Sequence, residues 1–233
     1  MELTTASKRG MKQSGFTMLE LMVSLVVLSL VMGVVVQGLV GLEQRNKIET
    51  QKVDLTQEAR QFEDQIVNDI HQAGFPSLKM FDAALWPANQ TTCDNTKVNV
   101  ACGFISATPS SLQFEADVDG TGVNGNSVSE VFIQLNPLNG PCPCVIQRGT
   151  VPKAVWVVNQ QPPFYYTEVT NVVNTNIFQG YDKSGNNVAL NGAPPLNLAA
   201  IEITLNVRSQ QSDSNGIFPT ITMSTGAKIA NVN

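Results

Sequence analysis

The chain begins with a short basic and polar stretch and continues into a long apolar run. No charged residue occurs between Leu21 and Leu42. As a helix rising about 1.5 Å per residue, this run is long enough to cross a hydrocarbon core about 30 Å thick. After Leu42 the sequence becomes polar and rich in Asn, Gln, Ser and Thr. The pattern therefore predicts one membrane-spanning segment followed by a domain that folds in water.

A second apolar periodicity follows this run. Its residues recur three or four positions apart, which is the spacing of one face of an amphipathic helix. They are Leu55, Ala59, Phe62, Ile66, Ile70 and Ala73. Gly74 and Pro76 then form a helix stop signal. We therefore expect one helix over about 16–73, whose first half lies in a membrane or filament core and whose second half packs on a globular head.

Beyond Pro76, short strand-like runs alternate with turn residues. The clearest runs from Ala200 to Arg208, where apolar and polar residues alternate strictly. The predicted strands are Ser111–Ala116, Val128–Leu135, Cys144–Arg148, Ala154–Val158, Ala200–Arg208 and Ile217–Met223. The expected fold class is α+β, with the long N-terminal helix packed on an antiparallel sheet.

These patterns divide the chain into four parts. Residues 1–15 form a leader, and 16–42 form the transmembrane or filament-core half of the helix. Residues 43–74 form the amphipathic half that packs on the head, and 75–233 form the β-rich head.

Charge predicts the orientation of the chain in a membrane. Lys8, Arg9 and Lys12 against Glu2 give residues 1–15 a net charge of +2, which leaves −7 for residues 16–233 because the total is −5. Basic residues ahead of a span hold that end in the cytoplasm, so we expect the head to be exported. An acidic exported domain argues against direct nucleic-acid binding, which needs clustered Lys and Arg.

The junction between Gly15 and Phe16 is a candidate processing site. A secretory signal peptide carries its small-residue cleavage site after the apolar region, whereas here Gly15 comes before it. Cleavage after Gly15 would remove only the polar leader and leave the apolar helix as the new N-terminus. Met1 and Met11 are alternative starts of this leader.

Glu20 is the unusual residue of the apolar segment. A carboxylate within a membrane span costs about 2.5–3.5 kcal/mol on insertion scales, so it usually has a partner and a function. Glu20 lies four residues after Phe16, on the same helix face. The amine of a cleaved Phe16 is a natural counter-charge, either within one subunit or between neighbours. The pair would then guide subunits into register.

The segment GFTMLE at 15–20, followed by an apolar helix, resembles the prepilin motif of type IV pilins and type II secretion pseudopilins. This resemblance implies a pilin fold, cleavage after Gly15 by a membrane prepilin peptidase, and methylation of the new Phe16 amine. It also implies that Glu20 acts in filament assembly.

Looser similarities point to a subgroup. LTQEARQFEDQIVNDIHQAGFP, SLQFEADVDGTG, an arginine at 148 and ITLNVRS resemble PilW-like minor pilins, which are related to the J-type minor pseudopilin. This implies a subunit that helps initiate or cap the filament near its tip. Its implied partners are major and minor pilins, the prepilin peptidase and the inner-membrane assembly platform. The implied location is the inner membrane before assembly and the extracellular pilus afterwards.

Four cysteines lie in the exported part, and an even count in an oxidising compartment suggests disulfides. Four cysteines allow three pairings. One joins Cys93 to Cys102 and Cys142 to Cys144, and the rival pairings join the two clusters. Zinc is a weaker alternative, because CxC with two scattered cysteines lacks the usual CxxC spacing.

The segment EADVDG at 115–120 faintly resembles a calcium loop, with Asp117 and Asp119 as candidate ligands. Glu115 replaces the first Asp of such a loop, and Asn126 stands where a bidentate Glu belongs. We favour the alternative of a strand that runs into an Asp-Gly turn, and expect no cofactor.

An enzyme is not expected. No GxSxG, HExxH, P-loop or GxGxxG context occurs, and the single histidine, His71, lies on the polar side of the predicted helix. Trp86, Phe164, Tyr165 and Tyr166 lie in loop-like surroundings. Satellite-core packing is the favoured reading of these aromatic residues, and an adhesive surface that binds sugar or protein is the alternative.

Overall fold

The computed structural model describes residues 15, 17–77, 97–120, 127–137, 141–193, 197–212 and 216–230. It divides the chain into two compact units between Lys47 and Ile48. Helix α1 extends over Met18–Gln72 and contributes to both units. The predicted long helix is therefore observed, and so is the α+β class.

In the first unit, the described residues are all solvent-exposed. Within α1, an apolar window long enough to cross a membrane has none of its residues buried. Large side chains such as Leu30 and Val34 are exposed to 67% and 72%. This surface therefore has no protein covering within the described structure.

In the second unit, the amphipathic part of α1 buries the stripe that its sequence predicts. Leu55, Ala59, Phe62, Ile66 and Ile70 are all buried in one hydrophobic core with the sheet. The helix ends where Gly74 adopts a φ of +77°, a left-handed conformation that glycine enters without steric cost.

The described residues of the second unit form a nine-stranded antiparallel sheet. Its strands are β1 Gly103–Thr108, β2 Ser111–Ala116, β3 Ser129–Asn136, β4 Cys144–Pro152, β5 Tyr165–Val172, β6 Phe178–Tyr181, β7 Asn187–Val188, β8 Ala200–Arg208 and β9 Thr220–Lys228. The strand order is β1-β2-β3-β4-β5-β8-β6-β7, and β9 also pairs with β8 along its full length. A short helix, α2, covers Lys153–Asn159.

The two faces of the sheet carry different elements. Phe114, Val131 and Thr150 lie side by side in the register of β2, β3 and β4, on the face that packs on α1. Residues one position along point to the other face because side chains alternate along a strand. Among them is Phe132, which packs against Trp156 of α2 with ring centroids 4.9 Å apart. The β2–β4 region therefore lies between α1 and α2.

The strand predicted at Ala154–Val158 is wrong, because α2 occupies this segment. β4 ends at Pro152 and already pairs with β3 on one side and β5 on the other. The chain must turn between these antiparallel strands, and Trp156 packs on the sheet as it does so. The β-branched residues of α2 mimic a strand in sequence, but Val155, Val157 and Val158 are largely exposed.

Other strand predictions differ less. β2 and β8 have the predicted bounds. β3 begins and ends one residue later than predicted, and β4 extends beyond the predicted Arg148 to Pro152. β9 begins three residues later than predicted and extends to Lys228. β1, β5, β6 and β7 were not predicted, because their sequences lack a clean alternation.

Among the residues that the structure describes, an ion pair joins α1 to the sheet. Arg148 Nε on β4 donates to Asp69 Oδ2 on α1 at 2.7 Å, and both side chains are largely buried. Burial raises the pKa of Asp69, and the hydrogen bond from Arg148 opposes this rise. The carboxylate therefore depends on Arg148 to remain charged.

The variant Arg148→Met tests this dependence in a fragment of residues 48–233. We expect the free energy of unfolding at pH 7 to fall by about 3 kcal/mol, because a buried carboxylate loses its counter-charge. A carboxyl group whose folded pKa is raised favours the folded state at low pH and loses that contribution as pH rises through the folded pKa. Urea denaturation should therefore show a smaller loss at pH 4 than at pH 7. The double variant Arg148→Met/Asp69→Asn should recover stability at pH 7, and an equal loss at both pH values contradicts the explanation.

Candidate functional site

The start of α1 is capped by the chain itself. The backbone N–H of Glu20 donates to Thr17 Oγ1 at 3.3 Å, and Ser24 Oγ donates to the carbonyl of Glu20 at 2.7 Å. Thr17 and Glu20 therefore occupy the first and last positions of a capping-box pattern. A negative charge in the first helical turn also interacts favourably with the helix dipole. The Thr-x-x-Glu spacing at Thr17 and Glu20 is the signal in the sequence from which this cap can be predicted.

Of the residues predicted to act in processing and assembly, Gly15 and Glu20 are described, and both are exposed. Phe16 lies outside the described residues. No ion pair to Glu20 is found in the described part of the chain. The amine expected to pair with it exists only after cleavage, so its pairing with Glu20 stays a prediction.

The segment with the calcium candidates forms a turn after β2. The N–H of Gly120 donates to the carbonyl of Asp117 at 3.3 Å, and Gly120 has a φ of +72°. Asp117 is buried and Asp119 is exposed. No cluster of three metal-binding side chains occurs among the residues described. Asn126 lies outside them, so the calcium question stays untested.

The cysteines are found in disulfides where the structure describes them. Cys142 and Cys144 are bonded to each other, with their Cα atoms 4.5 Å apart. Cys102 is also disulfide-bonded. Cys93 lies outside the described residues.

The aromatic candidates are not all core residues. Phe164 and Tyr166 are exposed to 76% and 65%, and their rings form an edge-to-face pair with centroids 4.9 Å apart. Tyr165 is half-buried, and burial raises the pKa of its hydroxyl. Trp86 lies outside the described residues.

A buried charged cluster lies on the α2 side of the sheet, where sequence analysis predicted no site. Lys153 Nζ donates to Glu115 Oε2 at 2.9 Å and to the carbonyl of Val100 at 2.9 Å. It also lies 3.4 Å from Cys102 Sγ. The backbone N–H of Cys102 donates to the same Glu115 oxygen at 2.8 Å.

Glu130 completes this cluster. It is the cross-strand partner of Glu115, and its Oε1 accepts a hydrogen bond from Gln113 Nε2 at 2.6 Å. Burial raises the pKa of Glu130 to about 7. The exposed fractions of Lys153, Glu115 and Glu130 are 0%, 2% and 1%. We define Lys153, Glu115, Glu130 and Gln113 as the buried charged cluster.

The alternation of β2 and β3 contained one signal for this cluster. Glu115 and Glu130 occupy positions that alternation assigns to the face opposite α1, and charged residues there suggest solvent exposure. Their burial could not be inferred, because the covering residue Lys153 follows β4 in a segment predicted as a strand.

Comparison with protein families identifies the N-terminal segment. Residues 10–36 match a family model described as the prokaryotic N-terminal methylation motif. The match supports a type IV pilin or pseudopilin, and with it processing by a prepilin peptidase and assembly with other pilins. It also fits membrane anchoring through the apolar helix before assembly. No curated protein and no solved structure matches the chain.

A calcium titration tests the Asp117–Asp119 candidate. In a fragment of residues 48–233, millimolar calcium should leave the melting temperature unchanged, because Glu115, the residue in the first ligand position, already binds Lys153. Differential scanning calorimetry with calcium and with chelator makes the comparison. A rise in melting temperature that is absent from the variant Asp117→Asn/Asp119→Asn would instead establish a calcium site.

Proposed function

We propose that the chain is a minor type IV pilin, a structural subunit that helps initiate or cap the filament near its tip. The observation that carries this proposal is the N-terminal methylation motif on a helix whose apolar surface is uncovered. The folded second unit supplies its own core, so the exposed helix is available to pack with other subunits. The looser PilW-like segments of the head support the minor-pilin assignment.

The proposed mechanism starts in the inner membrane. The basic leader holds the N-terminus in the cytoplasm, and the head faces the periplasm. A prepilin peptidase cuts between Gly15 and Phe16, and methylation follows at the new amine. The carboxylate of Glu20 then pairs with the Phe16 amine of the same or a neighbouring subunit. In an apolar filament core this pairing offsets the cost of a buried charge and selects one axial register.

The proposed partners follow from these steps. They are the prepilin peptidase, the inner-membrane assembly platform, and other major and minor pilins. The apolar surface of the first unit would be covered by lipid before assembly and by the equivalent helices of other subunits afterwards. No nucleic acid and no catalytic activity enter this proposal.

Two alternative functions are each supported by an observation on this chain. A J-like minor pseudopilin of a type II secretion system would use the same motif, so neighbouring pilus or secretion genes discriminate between them. A tip-located adhesive module is favoured by the exposed Phe164–Tyr166 ring pair. The double variant Phe164→Ala/Tyr166→Ala tests the adhesive alternative when adhesion and piliation are measured separately. Loss of adhesion with normal filaments would support it.

N-terminal mass spectrometry of the membrane-extracted protein tests the processing step. We expect a mature chain that begins with a methylated Phe16, because the peptidase should cut after Gly15. The variant Gly15→Ala changes the residue that precedes the proposed cut. Its N-terminus is measured in the same way and compared with that of the wild-type chain. A wild-type chain that retains its leader, or starts at another residue, would contradict the proposal.

The variant Glu20→Val tests the assembly step. Processing should remain intact, while incorporation into filaments falls about tenfold or more, since each 1.4 kcal/mol corresponds to a tenfold change in an equilibrium. Quantitative immunoblots of sheared filaments and of membranes measure the ratio. Ser24→Val lies one turn along the same helix face and should incorporate normally. Normal incorporation of Glu20→Val would show that this charge does not direct assembly.

A further inference from the structure

We propose that Lys153 and Glu115 become joined by an intramolecular isopeptide bond, with Glu130 acting as the proton relay. This inference concerns the buried charged cluster of the head. It goes beyond the proposed role in filaments and does not rest on it, because every residue involved lies in the second unit.

The amine and the acyl group are already in contact. Lys153 Nζ lies 2.9 Å from Glu115 Oε2, and water is excluded because both side chains are almost fully buried. The two residues are held from different elements, Glu115 on β2 and Lys153 at the start of α2. Such fixed proximity makes the reaction effectively unimolecular, which is worth many orders of magnitude in rate.

A preorganised donor faces the carboxyl group that would react. The backbone N–H of Cys102 donates to Glu115 Oε2 at 2.8 Å. When a nucleophile adds to the carboxyl carbon, this oxygen gains negative charge, and a fixed N–H at this distance stabilises it. The carbonyl of Val100, 2.9 Å from Lys153 Nζ, orients the amine.

Glu130 has the environment required of a proton relay. It lies directly across from Glu115 in the β2–β3 register, and Gln113 holds its Oε1. Its Oε2 is buried and has no hydrogen-bond partner among the described residues. With its pKa raised by burial to about 7, Glu130 can both hold and release a proton near neutral pH.

The reaction is a dehydration that needs no other reagent. A proton passes from the Lys153 ammonium, by way of protonated Glu130, to Oε1 of Glu115. This gives a neutral amine and a carboxylic acid whose carbonyl oxygen is Oε2, and the hydroxyl that departs later is on Oε1. The amine then forms a bond from Nζ to the Glu115 carboxyl carbon. Glu130 accepts a proton from this nitrogen and donates its own to the departing hydroxyl group. One C–O bond breaks, one water leaves, and Glu130 returns to its starting form.

Burial of charge favours the product. An ammonium ion and a carboxylate taken out of water each cost several kcal/mol, which their attraction only partly offsets. The amide removes both charges and keeps an N–H that can donate to Val100. The bond would connect β2 to the end of β4 across the intervening strand β3. The head would then contain an isopeptide cross-link in addition to its disulfides.

Mass spectrometry of the full chain, extracted in detergent and then reduced and alkylated, tests this bond. We expect an intact mass lower than the sequence mass by one water, after processing is accounted for. Trypsin should fail to cut after Lys153 and should release peptides 98–148 and 149–183 as one branched species. Fragmentation should locate the branch at Glu115. A chain of full mass that is cut after Lys153, or a water loss located elsewhere, would overturn the proposal.

Two matched variants distinguish loss of the proton relay from loss of folding. Glu130→Gln keeps the size of the side chain and an acceptor for Gln113, so it should fold but give the unlinked peptides. Glu63→Gln changes another buried carboxyl, on α1, and should retain the link. Circular dichroism establishes folding of both variants. A folded Glu130→Gln chain that still carries the bond would exclude Glu130 as the relay, and loss of the bond in Glu63→Gln would also contradict the mechanism.

Discussion

The head depends on the burial of one face of α1 against its sheet. Phe62, Ile66 and Ile70 are each at most 2% exposed and belong to the core that β2, β3, β4 and β8 complete. Full burial of such side chains contributes about 1.5–3 kcal/mol each, and the stripe contains several of them. The ion pair between Asp69 and Arg148 lies at the end of this stripe and adds a directional contact to the non-directional apolar packing.

The first half of the same helix has the opposite property. From Leu21 to Leu42 its side chains are uncharged and mostly apolar, and they are uncovered in the described structure. A helix that is apolar all round requires an apolar environment, either lipid or other helices. One continuous helix thus combines a half that packs on the sheet with a half whose apolar surface is uncovered in the described structure. The two halves differ because residues 43–74 have a polar face, which faces water while the apolar stripe packs on the sheet.

The second face of the sheet also encloses side chains. A seven-residue helix and the segment around Cys102 cover Glu115, Glu130 and Phe132. Polar groups are enclosed there along with aromatic rings, and hydrogen bonds pair several of them with one another. Lys153 donates to Glu115 at 2.9 Å, and Gln113 donates to Glu130 at 2.6 Å. This enclosure makes the cluster reactive in our proposal, since the same groups in water would remain separate ions.

The sequence by itself determined the features that depend on near neighbours. The stripe from Leu55 to Ala73, the alternation of β8 and the GFTMLE segment are periodic or contiguous, so local spacing was sufficient to predict them. Only the tertiary structure decided that Ala154–Val158 is helical and that Lys153 lies on Glu115, 38 residues away in sequence. Spacing specifies which side of an element a residue occupies. Which distant segment covers that side depends on the path of the chain, and the path is set by the packing of the whole core.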